Sequence, residues 1–401
     1  VEPAVVFVAF QTRSHANGGL ESLTYILRGM PGRRVVITQT EGPFTARWRA
    51  LGCEVHILPA PEPRALSGLR LASYRLQRVP GIARSNLAAA AIVREVGARI
   101  VHCNDASAFW YAGIGAALGG ARVVLNVRDT RPNRDYGAKW RALRHLAGTM
   151  VVLSEEMRAE LEHELRPLVR LPRAADIISI HSAVDLGRMT RPSAAERLAL
   201  RSRLGLGDEV FAMVYVGTFN DKKNQLDFLE RAAPALVKDE QSSLIFVGDF
   251  RPAVDEYAAR CQAAVERLGL SSKVRFEGFT RSPEDWYRAA DVICLASRNE
   301  GLARAMIEAM ACGTPVVSFD VSSAREVLEQ RGCGEVVPQG DYPAFVRAVG
   351  VLRSDPARRA SYGSRAAEVA RELFDPQRSV SRYRELYRRL ELESRRSSSS
   401  A

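Results

Sequence analysis

The sequence predicts an α/β protein of two doubly wound, Rossmann-like domains that face each other across a cleft. Three observations carry this prediction. Short β-branched runs alternate with helical stretches from Val5 onward, the alternation pauses at a polar connector, and it then starts again. The chain has 401 residues, which at roughly 150 residues per domain suits two such series. Strands alternating with helices form right-handed βαβ units and parallel sheets, so two series imply two sheets.

In the first series the strand-like runs are Val5–Phe10, Val35–Thr38, Glu54–Leu58, Ile100–Cys103, Val123–Val127, Met150–Leu153 and Ile177–Ile180. Helical patterns such as Gly19–Arg28 and Ala83–Val96 lie between them. Arg188–Leu204 reads as the polar connector. The second series runs through Phe211–Val216, Ser243–Val247, Val274–Phe276, Val292–Leu295, Pro315–Phe319 and Glu335–Val337. An N-terminal domain is therefore expected at residues 1–187 and a second at 188–374. A basic helix is expected at 375–396, with Tyr383, Leu386, Tyr387 and Leu390 on one stripe, followed by a disordered Ser-rich tail at 397–401. Ligands of such sheets sit beyond the carboxyl ends of the strands, which makes the cleft the default site.

Hydrophobic residues at 46% and charged ones at 26% describe an ordinary globular chain and exclude disordered and fibrous classes. No apolar run approaches the roughly 20 residues of a spanning helix. The opening VEPAVVFVAF has no basic region before its apolar stretch and no small-residue cleavage site after it, and reads as a first strand. Six cysteines stand singly without a CxxC, a pattern expected of reduced thiols in a cytoplasmic protein. The net charge of +11 permits anionic partners such as phosphorylated ligands or acidic lipid. Only five of the 57 basic residues are lysine, and they show no nucleic-acid motif, so nucleic acid is not expected as a partner.

Three stretches can carry chemistry. Gly18-Gly19 follows the first strand and opens a helix, where backbone N–H groups and the helix dipole suit a phosphate; a plain βα turn is the alternative. Gly217 to Asn224 places Lys222 and Lys223 beyond the first strand of the second series, where lysines suit a diphosphate or merely solvate a helix start. In Ser297–Met310, Glu300 and Glu308 stand eight apart, Glu300 at the mouth of a helix and Glu308 about two turns in. At about 1.5 Å per residue they are on the order of 12 Å apart, so they suit two parts of one elongated ligand. Carboxylates accept hydrogen bonds from sugar and ribose hydroxyls, and a diphosphate would rest near the helix start.

With Val247-Gly248-Asp249, Phe276-Glu277-Gly278-Phe279 and Ala311-Cys312-Gly313-Thr314-Pro315-Val316-Val317, these stretches resemble the retaining, GT-B-fold glycosyltransferases of family 4 (glycosyl transferases group 1) over nearly the whole chain. The closing helix resembles one that, in this family, crosses back to the N-terminal domain. The resemblance implies transfer of a sugar from a nucleotide-sugar donor to a glycan or lipid-linked acceptor, with retention and no bound metal. No cofactor is implied, since the nucleotide-sugar is a co-substrate. Gly18 and Gly19 would face the donor phosphates and Lys223 would contact the diphosphate. Glu300, with the backbone of Gly301 and Leu302, would hold the sugar, and Glu308 the ribose. Thr218, Gly278 and Phe279 would complete the donor side. The sequence agrees on the metal, with no Asp-x-Asp at a strand end.

Two positions depart from the family. Thr218 stands where an arginine is usual, and Arg128, before Asp129, stands where a histidine is often found. An arginine cannot act as a base but can orient a phosphate or carboxylate, so Arg128 is a candidate in catalysis; a salt bridge to Asp129 or another carboxylate is the alternative. Asp129, His15 and His102 are acceptor-side candidates, and no histidine pair has metal spacing. Two basic amphipathic stretches, Arg64–Arg84 and Tyr136–Leu146, suit peripheral contact with an anionic leaflet on the inner face of the cytoplasmic membrane, or an ordinary solvated face. A role in polysaccharide or glycolipid assembly of the cell envelope fits. The competing readings are a sugar-nucleotide epimerase or hydrolase of the same fold, and a catalytically silent subunit partnering an active transferase.

Overall fold

The structure, a computed structural model, describes residues 4–10, 18–58, 68–129, 138–165 and 175–399. The first series forms β1 (Val5–Val8), β2 (Arg34–Thr38), β3 (Glu54–Ile57), β4 (Ile100–Cys103), β5 (Arg122–Asn126), β6 (Thr149–Val152) and β7 (Asp176–Ser179). The second forms β8 (Phe211–Val216), β9 (Ser242–Val247), β10 (Val274–Phe276), β11 (Val292–Leu295), β12 (Val316–Phe319) and β13 (Gly334–Val337). The first sheet has the order β3-β2-β1-β4-β5-β6-β7 and the second β10-β9-β8-β11-β12-β13. All pairings are parallel. Helices cover both faces of such sheets, which explains why VVFV, TMVV and VICL are apolar and buried throughout.

Strand order reverses between β1 and β4 in one sheet and between β8 and β11 in the other. Both reversals leave a crevice at the strand ends. Described residues beyond the ends of these strands, among them Phe10, Asn104, Gly217 and Glu300, line it. The apolar cluster is shared between the sheets and includes Val127 and Leu153 from one and Leu302, Val321 and Ala324 from the other.

The helix Pro376–Ser399 returns to the first sheet. Its Val380, Tyr383, Leu386, Tyr387 and Leu390 are buried with Phe7, Leu23 and Leu27. The helix Gly18–Gly29 ends in a glycine for this reason, since a Cβ on Gly29 would lie 2.7 Å from both Val380 methyl carbons. The expected disordered tail is corrected in part: the helix extends through Ser399, so residues 397–399 belong to it, while 400–401 lie outside the described residues.

Away from the crevice, two short elements meet N-terminus to N-terminus. The Glu156 N–H on the helix Glu155–Glu164 donates to Glu326 Oε2 (2.7 Å), and the Glu326 N–H on the π-helical turn Arg325–Glu329 donates to Glu156 Oε2 (3.4 Å). Each carboxylate thereby meets orphan donors of the opposite sheet's element. His181 Nε2 lies 3.0 Å from Glu326 Oε1.

The loops after β8, β9 and β10 are held together by glycine. A Cβ on Gly248 would stand 2.0 Å from the Gly217 carbonyl oxygen, and the Gly248 N–H donates to the Gly278 carbonyl (2.8 Å), where Gly278 has φ +68°. Gly248→Ala is therefore expected to lower stability by about 1–3 kcal/mol through overpacking against backbone. Urea unfolding of the two proteins measures it; an unchanged midpoint would show that the loops are not this tightly stacked.

Candidate functional site between the two sheets

The cleft has a volume of about 1620 Å³ and is lined by both sheets, from Gly18–Ser22, Asn104–Ser107 and Asn126–Asp129 on one side to Val216–Thr218, Lys222, Lys223, Phe279–Arg281 and Glu300–Glu308 residues on the other. Its second-sheet side is built on a tight turn. Asn224 adopts φ 64°, and its Nδ2 donates to the Ala296 carbonyl (2.9 Å) and the Tyr342 hydroxyl (3.0 Å). The Tyr215 hydroxyl donates to the Lys223 carbonyl, and the Arg298 N–H to the Lys222 carbonyl (2.8 Å). These bonds lock the loop after β8 to the loop after β11, which brings both lysines to Glu300.

Glu300 is only 5% exposed. Lys223 Nζ pairs with its Oε1, and Lys222 Nζ lies 3.7 Å from its Oε2. Lys222 also reaches across the cleft to Asp129 Oδ1 at 2.7 Å. Burial pushes the Glu300 carboxyl up, but the charges of Lys223 and Lys222 outweigh it and hold its pKa below the ordinary value. For Lys222 burial works downward, and Glu300 and Asp129 together raise its pKa. Gly301 follows because nothing larger fits: a Cβ there would lie 2.0 Å from the Arg128 carbonyl oxygen on the opposite sheet.

The helix Arg304–Ala311 carries Glu308, 8% exposed, one turn after Arg304. Its Oε2 accepts from the Tyr287 hydroxyl (2.9 Å), and its Oε1 from Arg304 Nε (3.0 Å) and Nη2 (2.6 Å). Arg304 Nη1 reaches the other sheet's Ala183 carbonyl (3.2 Å) and Ser22 Oγ (3.4 Å). Burial opposes the charge on Arg304, while Glu308 more than offsets it, so its pKa stands above the usual arginine value. Ala303 at the helix N-cap offers no side-chain acceptor; its carbonyl takes the Met306 N–H (3.1 Å), while Arg304 and Ala305 of the first turn line the cleft.

Most of the residues expected from sequence gather here. Gly18, Gly19, Thr218, Lys223, Phe279, Glu300, Leu302, Glu308, Arg128 and Asp129 line the cleft. Phe279 is 45% exposed beside it. Glu300 sits in the loop before the helix rather than on its first turn, because the helix begins at Arg304. Gly18 lies against Arg304, whose stem occupies the space beside its Cα. Arg128 does not pair with Asp129; its Nε and Nη2 donate to Asn104, the latter at 2.6 Å to Oδ1.

His102 is corrected. It is fully buried, at 0% exposure, on the face of β4 covered by the helix Pro376–Ser399 and behind the cleft wall. Its Nδ1 shares a 2.7 Å hydrogen bond with the Tyr387 hydroxyl. Burial, with the charge of Arg128, pushes its pKa down to about 3. His15 lies outside the described residues, as do 64–67 and 136–137 of the two basic amphipathic stretches. Among the described residues no helix is long and apolar enough to cross a membrane, and no cluster of His, Cys, Asp or Glu could hold a metal ion. Sequence reasoning passed over Arg304, Tyr287 and Asn104. Arg304 alone left a signal, standing four residues before Glu308 on one helical face.

The family model for glycosyl transferases group 1 matches residues 211–355, and that for glycosyltransferase family 4 matches residues 44–188. A D-inositol 3-phosphate glycosyltransferase of Xylanimonas cellulosilytica is 33% identical over 228 residues, 54% of this chain and 54% of that protein. The putative glycosyltransferase EpsD of Bacillus subtilis is 29% identical over 204 residues, 51% and 52% of the two chains. The chain thus spans about half the length of the curated relatives it matches. Among solved structures, Anabaena Alr3699/HepE in complex with UDP-glucose superposes with a TM-score of 0.78 at 20% identity, over 96% of this chain and 99% of that one. Sucrose-phosphate synthase from Thermosynechococcus elongatus gives 0.76 at 20%, over 98% and 100%. The two-sheet architecture is theirs.

The burial of His102 makes a pH prediction. Its imidazole should stay neutral from pH 8 to pH 5 by NMR, because the native pKa is about 3. The unfolded chain takes up this proton first, near pH ~6.5, so stability should fall as pH drops from there toward the native pKa. His102→Leu should flatten that part of the pH–stability curve. Titration of the native imidazole near pH 6.5 would place it back at the cleft.

Proposed function

The chain belongs to the GT-B-fold glycosyltransferases of family 4, glycosyl transferases group 1, and from that premise we propose that it transfers a sugar from a nucleotide-sugar donor to an acceptor held on the first sheet's side of the cleft. The observation that carries this reading is the buried Glu300 between Lys223 and Lys222 at the β8–β11 crevice, with Glu308 on the helix that follows. The donor diphosphate draws Lys223 away from Glu300 and lies against the first N–H groups of the helix Arg304–Ala311. Glu300 is then free to accept hydrogen bonds from the sugar hydroxyls. Lys223 and the N–H groups meet the charge that grows on the departing diphosphate, where preorganised donors lower a barrier most.

In this reading transfer keeps the anomeric configuration by front-face attack and calls on no metal. Arg128, fixed by three hydrogen bonds to Asn104, orients an anionic group of a glycan or lipid-linked acceptor without taking a proton from it. UDP-glucose in the HepE structure and the name of the inositol phosphate relative support an activated-sugar donor and an anionic acceptor respectively.

A thermal-shift panel of UDP, GDP, ADP and dTDP sugars, on wild type and Glu308→Ala, tests the donor side. At about 100 times Kd a ligand should stabilise the protein by roughly 2.7 kcal/mol. One nucleotide class should shift the wild type and fail to shift the variant. No shift with any of them would favour a catalytically silent subunit.

A further inference from the structure

We propose that Arg304 is a positioning residue for the donor's ribose, and that residue 18 is glycine in order to seat it. The proposal rests on the functional reading above and deepens it. A Cβ on Gly18 would stand 2.3 Å from Arg304 Cδ and 2.9 Å from Cγ. The arginine stem cannot step aside cheaply, because the guanidinium beyond it is tied at three places. Two N–H groups hold Glu308 Oε1, at 3.0 and 2.6 Å, and Nη1 reaches Ala183 O and Ser22 Oγ on the other sheet. Side chains this tightly committed transmit a displacement instead of absorbing it.

The consequence falls on Glu308. A carboxylate has about four acceptor positions. Arg304 uses Oε1 and Tyr287 one position on Oε2, which fixes the plane of the group and leaves capacity for a ribose hydroxyl. Arg304 also places its positive charge directly against this buried carboxylate. Arg304 belongs to the second sheet's side, whereas Gly18, Ser22 and Ala183 belong to the first. Ribose positioning is therefore coupled to how the two sheets stand: separating them releases the guanidinium and lets Glu308 turn.

This assigns Gly18 a different task from direct contact with donor phosphates, and a double-mutant cycle separates the two. Calorimetry would give the affinity of the full chain for UDP and for 2′,3′-dideoxy-UDP, in wild type, Gly18→Ala, Arg304→Ala, Arg304→Lys and the Gly18→Ala/Arg304→Ala double variant. Wild type should prefer UDP over the dideoxy form by on the order of tenfold. Arg304→Ala should lose that preference, Gly18→Ala should behave like it, and the double variant should be no worse than Arg304→Ala. Arg304→Lys should recover part of the preference.

Gly18→Ala costing as much in the Arg304→Ala background as in wild type would overturn the seat. Arg304→Ala weakening both ligands by one common factor would overturn the positioning role, since a merely structural residue does that. If wild type binds none of UDP, GDP, ADP or dTDP, the functional reading fails and the positioning role with it. The ligand-free melting temperatures of the same proteins then judge the seat alone, by whether Gly18→Ala is costly only when Arg304 is present.

Discussion

The arrangement hangs on one buried carboxylate. Glu300 lies almost out of water, and a charge in that place must be paired and hydrogen-bonded or it will not stay charged. Lys223 and Lys222 supply the pairing, and much of the local structure follows from bringing them there. The left-handed turn at Asn224, the buried Tyr215 hydroxyl and the bond from Arg298 to Lys222 all serve to fold one loop onto the other. Because Lys222 also holds Asp129, the same pairing reaches the opposite sheet. Two lysines thus meet two carboxylates, Glu300 on their own side of the crevice and Asp129 on the other, and these four charges balance.

That balance bears on the two departures from the family pattern. Thr218 withholds a cation from the place where one is usual, and Arg128 adds one on the first sheet's side of the cleft. In the proposed function an arriving diphosphate gains its attraction by breaking the Lys223–Glu300 pair and by lying at a helix start, more than by meeting an idle cation. The cost of breaking the pair is offset because Glu300 then finds sugar hydroxyls. Arg128 is held by Asn104 through hydrogen bonds to neutral groups, with the carboxylates of Asp105 and Asp129 acting on its charge from nearby.

Much of this was legible in the chain. The sheets, their parallel sense and the crevice follow from apolar runs, helical periods and a restart; Gly18, Lys223 and Glu300 stand beyond strand ends where such folds bind ligands, and Glu308 lies on the helix that follows Glu300. What was illegible depends on partners remote in sequence. His102 ends a strand as a cleft residue would, but which face it shows is decided by Tyr387, 285 residues away. Gly18 reads as a phosphate glycine, and nothing in the sequence shows that the Arg304 stem lies against it. Asn104 carries no motif at all and matters only because Arg128 comes to rest on it. The serine tail read as disorder by composition, yet its first residues continue a helix whose apolar stripe is anchored far upstream.

Gly301 and the Arg128 carbonyl meet main chain to main chain, with no side chain between them that could yield. Such a contact behaves as a mechanical stop. The closest approach of the halves at this point is then set by two peptide backbones. Loops elsewhere around the rim can diverge without changing how far the halves come together. Ligand choice and the travel of the jaws become separable properties of the molecule.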